Sequence, residues 1–255
     1  IIIDNEKYYY TGASSESPNG RTEIYVSART DKQGAQTYAA TFNSVISAPL
    51  ANIPLADFPA ALMSSVQPDK KNISVLIFCD MFSAMPAAFR NIPVVRHIDV
   101  VLYGPQPMSY DIGNDRFSLY NENPRMFLEY KKKTYDLIMV LPPNPISISA
   151  NTMYTKEFYK LADYRLSFDG VLVTVLANGE RTPPDIAAKF NGIIGNTLRK
   201  AFAKVEFVPA GKNSLAICSN GRKITGDFDE MDKRVSTLMP DANSFPEGLL
   251  LVLVP

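Results

Sequence analysis

Few side chains in this sequence are equipped for chemistry, and their spacing does not gather them into a catalytic or metal-binding constellation. There is one histidine, His97, and there are two cysteines, Cys79 and Cys218. A structural zinc ion takes four Cys or His ligands, usually in closely spaced pairs, so no metal site is expected. Both cysteines stand in apolar, strand-like runs, Val75-Leu76-Ile77-Phe78-Cys79 and Leu215-Ala216-Ile217-Cys218. Those are the surroundings of buried free thiols. His97 reads as a strand-end or surface residue rather than a base. The run Lys131 to Lys133 is too short for a basic stripe and reads as a solvated loop before a strand.

The elements that must position any site follow from texture. The 255 residues, 46% of them apolar, suffice for one large domain with a full core. Residues 1 to about 47 read as β-structure: Tyr8-Tyr9-Tyr10, then Thr22 to Val26, with a hairpin turn expected at Asp31-Lys32-Gln33-Gly34. Residues 48–70 are rich in Pro and Ala, with a short helix expected around Pro59 to Ser65. Five short, continuous apolar runs follow: Ser74–Cys79, Ile98–Tyr103, Tyr135–Leu141, Gly170–Leu176 and Leu215–Ser219. Runs of that kind mark strands buried on both faces of a parallel sheet. Helical periodicity falls between them, over Thr155–Leu166 and Asp185–Phe202. Strands alternating with helices predict βαβ units and an open, mostly parallel α/β sheet with helices on both faces. Ligands bind such sheets beyond the carboxyl ends of the strands, which directs attention to the residues after Phe78, Leu102 and Val140. The expected division is a small β-hairpin domain over 1–50, the α/β domain over 51–225 and an extension of no evident role over 226–255.

Lys+Arg and Asp+Glu balance at 26 each, so no long-range field favours nucleic acid or an anionic membrane. No apolar stretch reaches the roughly 18–20 residues that span a bilayer, which points to a cytoplasmic protein. The apolar ends, Ile1-Ile2-Ile3 and Leu249 to Val254, fit terminal strands. They fit equally a soluble domain excised from a longer, membrane-anchored chain.

One stretch has a familiar order. Tyr135-Asp136-Leu137-Ile138-Met139-Val140, a Pro-rich loop, Tyr154-Thr155-Lys156-Glu157-Phe158-Tyr159, then Leu166-Ser167-Phe168-Asp169-Gly170-Val171-Leu172 resembles the spermidine synthase family. The resemblance implies the Rossmann-like fold of S-adenosylmethionine-dependent methyltransferases behind a small β-domain. It also implies a homodimer. It is strong over 135–176 and extends weakly over 15–220, with Val75 to Phe78 in the place of the first strand and Val205 to Pro209 in that of a late one.

The family's reaction moves an aminopropyl group from decarboxylated S-adenosylmethionine to an amine, and three sets of groups serve it. A glycine-rich loop after the first strand lets backbone approach the nucleoside; here Cys79-Asp80-Met81-Phe82-Ser83 has no glycine. An acid at the end of the second strand holds the ribose hydroxyls; here Leu102 stands in its place. The acid of the adenine-side segment appears as Asn123. A carboxylate after the fourth strand orients and deprotonates the attacking amine; the two acidic positions of that loop are Leu141 and Asn144, among Pro142, Pro143 and Pro145. Asp80, Asp99 and Asp111 are the acids left nearby, and Asp80 would serve only through a shifted register.

The expectation is therefore a pseudoenzyme, a spermidine synthase-like protein with no cofactor that binds or assembles with a protein partner or a second copy of itself. The alternative is an active aminopropyl- or methyltransferase, with decarboxylated S-adenosylmethionine or S-adenosylmethionine in a remodelled pocket. A third possibility, compatible with the first, is a soluble domain attached to a membrane region, as in fused bacterial relatives.

Overall fold

This computed structural model describes residues 2–3, 6–7, 9–16, 22–27, 70–79, 86, 89, 92–103, 116–141, 151–176, 184–210 and 213–221. Near the start, strands β1 (Ile2–Ile3) and β2 (Glu6–Lys7) pair antiparallel, as do β3 (Tyr9–Glu16) and β4 (Thr22–Ser27). The expected turn at 31–34, the helix around Pro59 to Ser65 and the extension over 226–255 lie outside the described residues.

The main sheet has seven strands: β5 (Ile73–Cys79), β6 (Val95–Leu102), β7 (Phe117–Asn121), β8 (Tyr135–Val140), β9 (Leu166–Leu176), β10 (Lys204–Ala210) and β11 (Asn213–Ser219). Their spatial order is β10-β11-β9-β8-β5-β6-β7. β5 pairs parallel with both β6 and β8, β6 with β7, and β8 with β9, while β11 runs antiparallel to β9 and β10. The chain starts at the centre, steps outward through β6 and β7, and returns to the other side of β5 as β8. That reversal places the topological switch point at the carboxyl end of β5.

Among the described residues, two of the three α-helices open on a side-chain cap. α1 (Pro124–Tyr130) opens with Asn123, whose Oδ1 accepts from Arg125 N at 3.0 Å and Met126 N at 3.3 Å, and Pro124 supplies no N–H that would need a partner. α2 (Lys156–Tyr164) opens with Thr155, whose Oγ1 accepts from Phe158 N at 3.2 Å. α3 is Pro184–Arg199. All three bury their apolar faces on one side of the sheet. Phe127 and Leu128 of α1, Phe158, Tyr159 and Ala162 of α2, and Ile194 and Leu198 of α3 meet Leu76, Phe78, Val101, Ile138 and Val140. Phe78 is central there, with ring centroids 6.3 Å from Phe127 and 5.7 Å from Phe158 in edge-on geometry. On the opposite face Val75, Ile77, Cys79, Ile98, Val100 and Leu102 gather with Phe89 and Ile92, which come from between β5 and β6. The unbroken apolar run of β5 is thus explained: successive residues feed two different cores.

Two buried carboxylates tie the strands to one another. Asp99 on β6 is fully buried and accepts from Tyr135 Oη at 2.6 Å, Lys133 Nζ at 2.9 Å and His97 Nε2 at 2.7 Å. Burial alone would raise its pKa, but the hydrogen bonds from Tyr135, Lys133 and His97 outweigh it and hold the carboxyl below its ordinary value. Asp136 on β8 accepts from Ser74 N at 3.0 Å, from Ser167 Oγ at 2.6 Å and from the Lys70 ammonium, joining β8 to both neighbours.

Each of the five expected strands is present, with ends displaced by at most a few residues. β9 is the largest difference, starting at Leu166 instead of Gly170. The sequence reading contained neither β7 nor α1. The apolar content of β7, Phe117-Ser118-Leu119-Tyr120-Asn121, is interrupted, and α1 spans only 7 residues. Both cysteines are free and buried, as expected.

Two expected outcomes test these interactions. Tyr159 Oη and Thr174 Oγ1 are buried beside one another, and neither completes a full hydrogen bond among the described residues. Tyr159→Phe should therefore leave stability unchanged or raise it by up to about 1 kcal/mol in urea unfolding. Asp99, with its folded pKa depressed, contributes stability that is present above its unfolded value near 4 and lost as the pH falls through the lower folded value. Asp99→Asn should cost about 1–3 kcal/mol at neutral pH. The difference in urea midpoint between wild type and variant should shrink as the pH is taken from 5 to 2.

Candidate functional site

The site that the topology offers lies where β6, β5 and β8 end together. The parallel ladder runs one residue past each outer strand: Tyr103 N donates to Cys79 O at 3.2 Å, and Leu141 N donates to Phe78 O at 2.9 Å. Residues 103 and 141 therefore flank the end of β5 from either side. Three of the expected positions can be placed here. Cys79 and Leu102 are buried in the core on the face away from the helices, and Leu141 is half-buried against that same core. Asn123 stands two residues beyond the end of β7, with its side-chain oxygen engaged by the two amides of α1. Asp80, Met81, Phe82, Asn144 and Asp111 lie outside the described residues.

Across this end of the sheet runs a contact that the sequence reading did not anticipate. The Tyr103 hydroxyl donates to the Leu141 carbonyl, joining β6 to β8 over the end of β5. Adjacent strands lie about 4.8 Å apart, so the phenol crosses close to two strand spacings. Its ring packs with the helix-bearing core rather than with Cys79, Leu102 and Leu141. The signal in the sequence was a tyrosine directly after the strand, at the one position from which a ring reaches the neighbouring loop.

Chemistry elsewhere is structural. Ser118 Oγ lies 3.5 Å from His97 Nε2, and Asp99 Oδ1 lies 2.7 Å from that same nitrogen. A Ser-His-Asp relay uses both ring nitrogens, one for each partner, so these three do not form one. Asp99 is moreover bonded to Tyr135, the first residue of β8 at the amino edge of the sheet, and itself lies in mid-strand, level with Leu76 and three residues short of the end of β6. A cleft of about 280 Å³ lies at that same amino edge, between Asp163, Leu166, Ser167, Phe168, Gly170, Asn220 and Gly221. Asp163, its pKa raised by burial, accepts there from Asn220 Nδ2 at 2.7 Å. Among the described residues no group of three or more His, Cys, Asp or Glu side chains is arranged to hold a metal ion. Burial raises the pKa of the Cys218 thiol, which opposes thiolate chemistry.

Known proteins give this geometry its context. Residues 105–208 match the spermine/spermidine synthase domain, a segment that begins after β6 and contains Asn123, Leu141 and Asn144 but neither Cys79 nor Leu102. A polyamine aminopropyltransferase of Oceanobacillus iheyensis is 29% identical over 142 residues, which are 52% of this chain and 26% of that protein. The chain thus spans about a quarter of the length of that relative. Among solved structures, a spermidine synthase in complex with the transition-state analogue AdoDATO superposes with a TM-score of 0.68 at 12% identity, over 98% of this chain and 87% of that one. The spermidine synthase of Thermotoga maritima gives 0.64 at 11% identity, over 96% and 84%. Human methyltransferase-like protein 13, in complex with SAH, gives 0.56 at 14% identity, over 76% and 95%. These likenesses establish the methyltransferase-like fold, and within it residues 105–208 resemble the spermine/spermidine synthase domain.

Proposed function

We propose that this chain is a non-catalytic spermidine synthase-like protein whose role is to bind or assemble with another protein, a second copy of itself included. The observation that carries the reading is Leu141. Aminopropyl transfer asks for a carboxylate just beyond the fourth strand, to hold and deprotonate the attacking amine. At that place stands a leucine with its side chain against the apolar core and its carbonyl bonded by Tyr103. The remaining described positions agree. Leu102 has no oxygen for a ribose, and the Asn123 oxygen already caps a helix. The buried acids of the described sheet, Asp99 and Asp136, are each bonded to three donors and lie short of the carboxyl ends of their strands.

No cofactor is part of this reading. A neutral chain without a basic stripe gives nucleic acid nothing to recognise. No helix among the described residues is long and apolar enough to cross a membrane. A cytoplasmic protein, or the soluble domain of a longer membrane-associated one, fits the short span of this chain against its curated relative.

The name of that relative, a polyamine aminopropyltransferase, favours a second reading, in which decarboxylated S-adenosylmethionine or S-adenosylmethionine enters a remodelled pocket. One assay separates the two. Purified protein incubated with decarboxylated S-adenosylmethionine and putrescine or spermidine should give no aminopropylated product above background by mass spectrometry. Turnover above background would overturn the non-catalytic reading. Leu141→Asp should remain inactive and lose about 1–3 kcal/mol in urea unfolding, because it turns a carboxylate toward an apolar core. A gain of activity in that variant would show the rest of the pocket to be intact and would locate the loss of catalysis at Leu141 itself.

A further inference from the structure

β9 does not enter the sheet in step with β8. Tyr135 pairs with Leu166 and Leu137 with Val171, so two steps along β8 match five along β9 and three residues are extra. Extra residues of this kind bulge from the ladder and re-aim side chains. Ser167 turns inward, its Oγ donating to Asp136 at 2.6 Å, whereas Phe168 is left 87% exposed. The bulge is supported from behind by the chain just beyond β11. A Cβ on Gly221 would collide with the Phe168 carbonyl oxygen, so the close approach there requires glycine.

The cleft of about 280 Å³ at this edge has Phe168 and Leu166 among its walls and Asp163 as its acid. Asp163 Oδ1 accepts from Asn220 Nδ2 at 2.7 Å, while Oδ2 has no partner among the described residues. Burial raises its pKa, the Asn220 bond opposes that, and no cation among the described residues pairs with it. Asp169 stands beside Gly221, equally without a cation among them. A partly desolvated carboxylate lacking a counter-charge is the half of an ion pair that a ligand can complete. We propose that this cleft is the docking site of a protein partner and receives a lysine side chain of that partner. With Oδ1 taken, the two-pronged grip that suits an arginine is missing, whereas an ammonium is satisfied by one oxygen. The four-carbon stem lies along Leu166 and Phe168, whose ring also attracts the charge. The occupant is larger than a free amine, because Tyr164, which follows Asp163, is itself 76% exposed, and a small ligand would leave it and Phe168 in water. It is not a second copy, because a two-fold contact would set Asp163 and Asp169 against their own equivalents. The site gives the protein-binding role proposed above a surface. It lies at the end of the sheet opposite the switch point, so it does not depend on loss of catalysis.

The test titrates N-acetyl-lysine N-methylamide into nitrogen-15-labelled protein and follows the amide chemical shifts. Wild type should show saturable shifts at Asp163, Phe168, Asn220 and Gly221. Asp163→Asn, which keeps the shape and still accepts from Asn220, should bind about fivefold more weakly, and so should Phe168→Ala. The uncharged N-acetyl-norleucine N-methylamide should give no saturable shift, and butylamine should bind more weakly than the lysine probe. No saturable shift in wild type overturns the site. Equal binding of the norleucine probe, or unchanged affinity in Asp163→Asn, overturns the assignment to lysine. Butylamine binding as tightly as the lysine probe would make the occupant a free amine and overturn the protein partner. Sedimentation that finds wild type dimeric and Phe168→Ala monomeric would seat a second copy there and overturn the choice of partner. Should Phe168→Ala fail to fold, Asp163→Asn decides alone. Turnover by wild type in the transferase assay would sink the non-catalytic reading and leave this cleft untouched, and a silent cleft would leave that reading standing.

Discussion

The pairing of β5 between β6 and β8 governs the rest of the molecule. Val75, Leu76, Ile77 and Phe78 are without solvent exposure, so every amide and carbonyl of this strand must find its partner in the two neighbours. Parallel ladders supply those bonds only if both neighbours hold register along the full strand. Asp136 fixes register on one side by accepting from Ser74 N, and the parallel pairs Ser74–His97 through Cys79–Leu102 fix it on the other. With β5 set, Phe78 faces the three helices and Cys79 faces away, which decides what each residue after the strand can reach.

This arrangement keeps the buried carboxylates short of the carboxyl ends of their strands. Asp136, near the start of β8, and Asp99, in the middle of β6, join these strands to β9 and the start of β5, each with three donors. A buried carboxylate with three donors is a fixed point of structure, because withdrawing it leaves buried donors unmatched. At the ends of β5, β6 and β8 the described side chains are Cys79, Leu102, Tyr103 and Leu141, with no carboxylate among them. The methyltransferase-like order of strands is complete, while the polarity that usually accompanies it at the switch point is missing from these positions.

The fold was legible where the physics is local. Continuous apolar runs such as Ile73 to Cys79 identify strands buried on both faces, and the spacing of Phe158, Leu161 and Ala162 identifies α2. β7 was not legible, because an edge strand has one covered face and its residues are half exposed. α1 was not, because its 7 residues give too few turns for a period to register, and its start depends on the Asn123 cap. At the site, the absence of acids at 102 and 141 could be read directly from the chain, since absence of charge needs no geometry. The bond from Tyr103 to Leu141 could not, because it joins residues 38 apart through a side chain and a backbone oxygen. Similarly, Asn123 read as standing at the place of an adenine-side acid, and the sequence reading did not foresee that its position one residue before Pro124 also makes it a helix cap.

The bridge between β6 and β8 also bears on how this end of the sheet meets other molecules. Transferase loops alternate between open and closed forms, and a surface that alternates presents no constant outline. Strand ends joined by a side chain keep one outline. A partner docking there orders little, and the entropy that association usually forfeits, about 0.5–1.5 kcal/mol for each side chain immobilised, is largely forfeited during folding instead. Preorganisation of this kind favours slow dissociation, which suits a subunit held in a lasting assembly better than a catalyst that must release product.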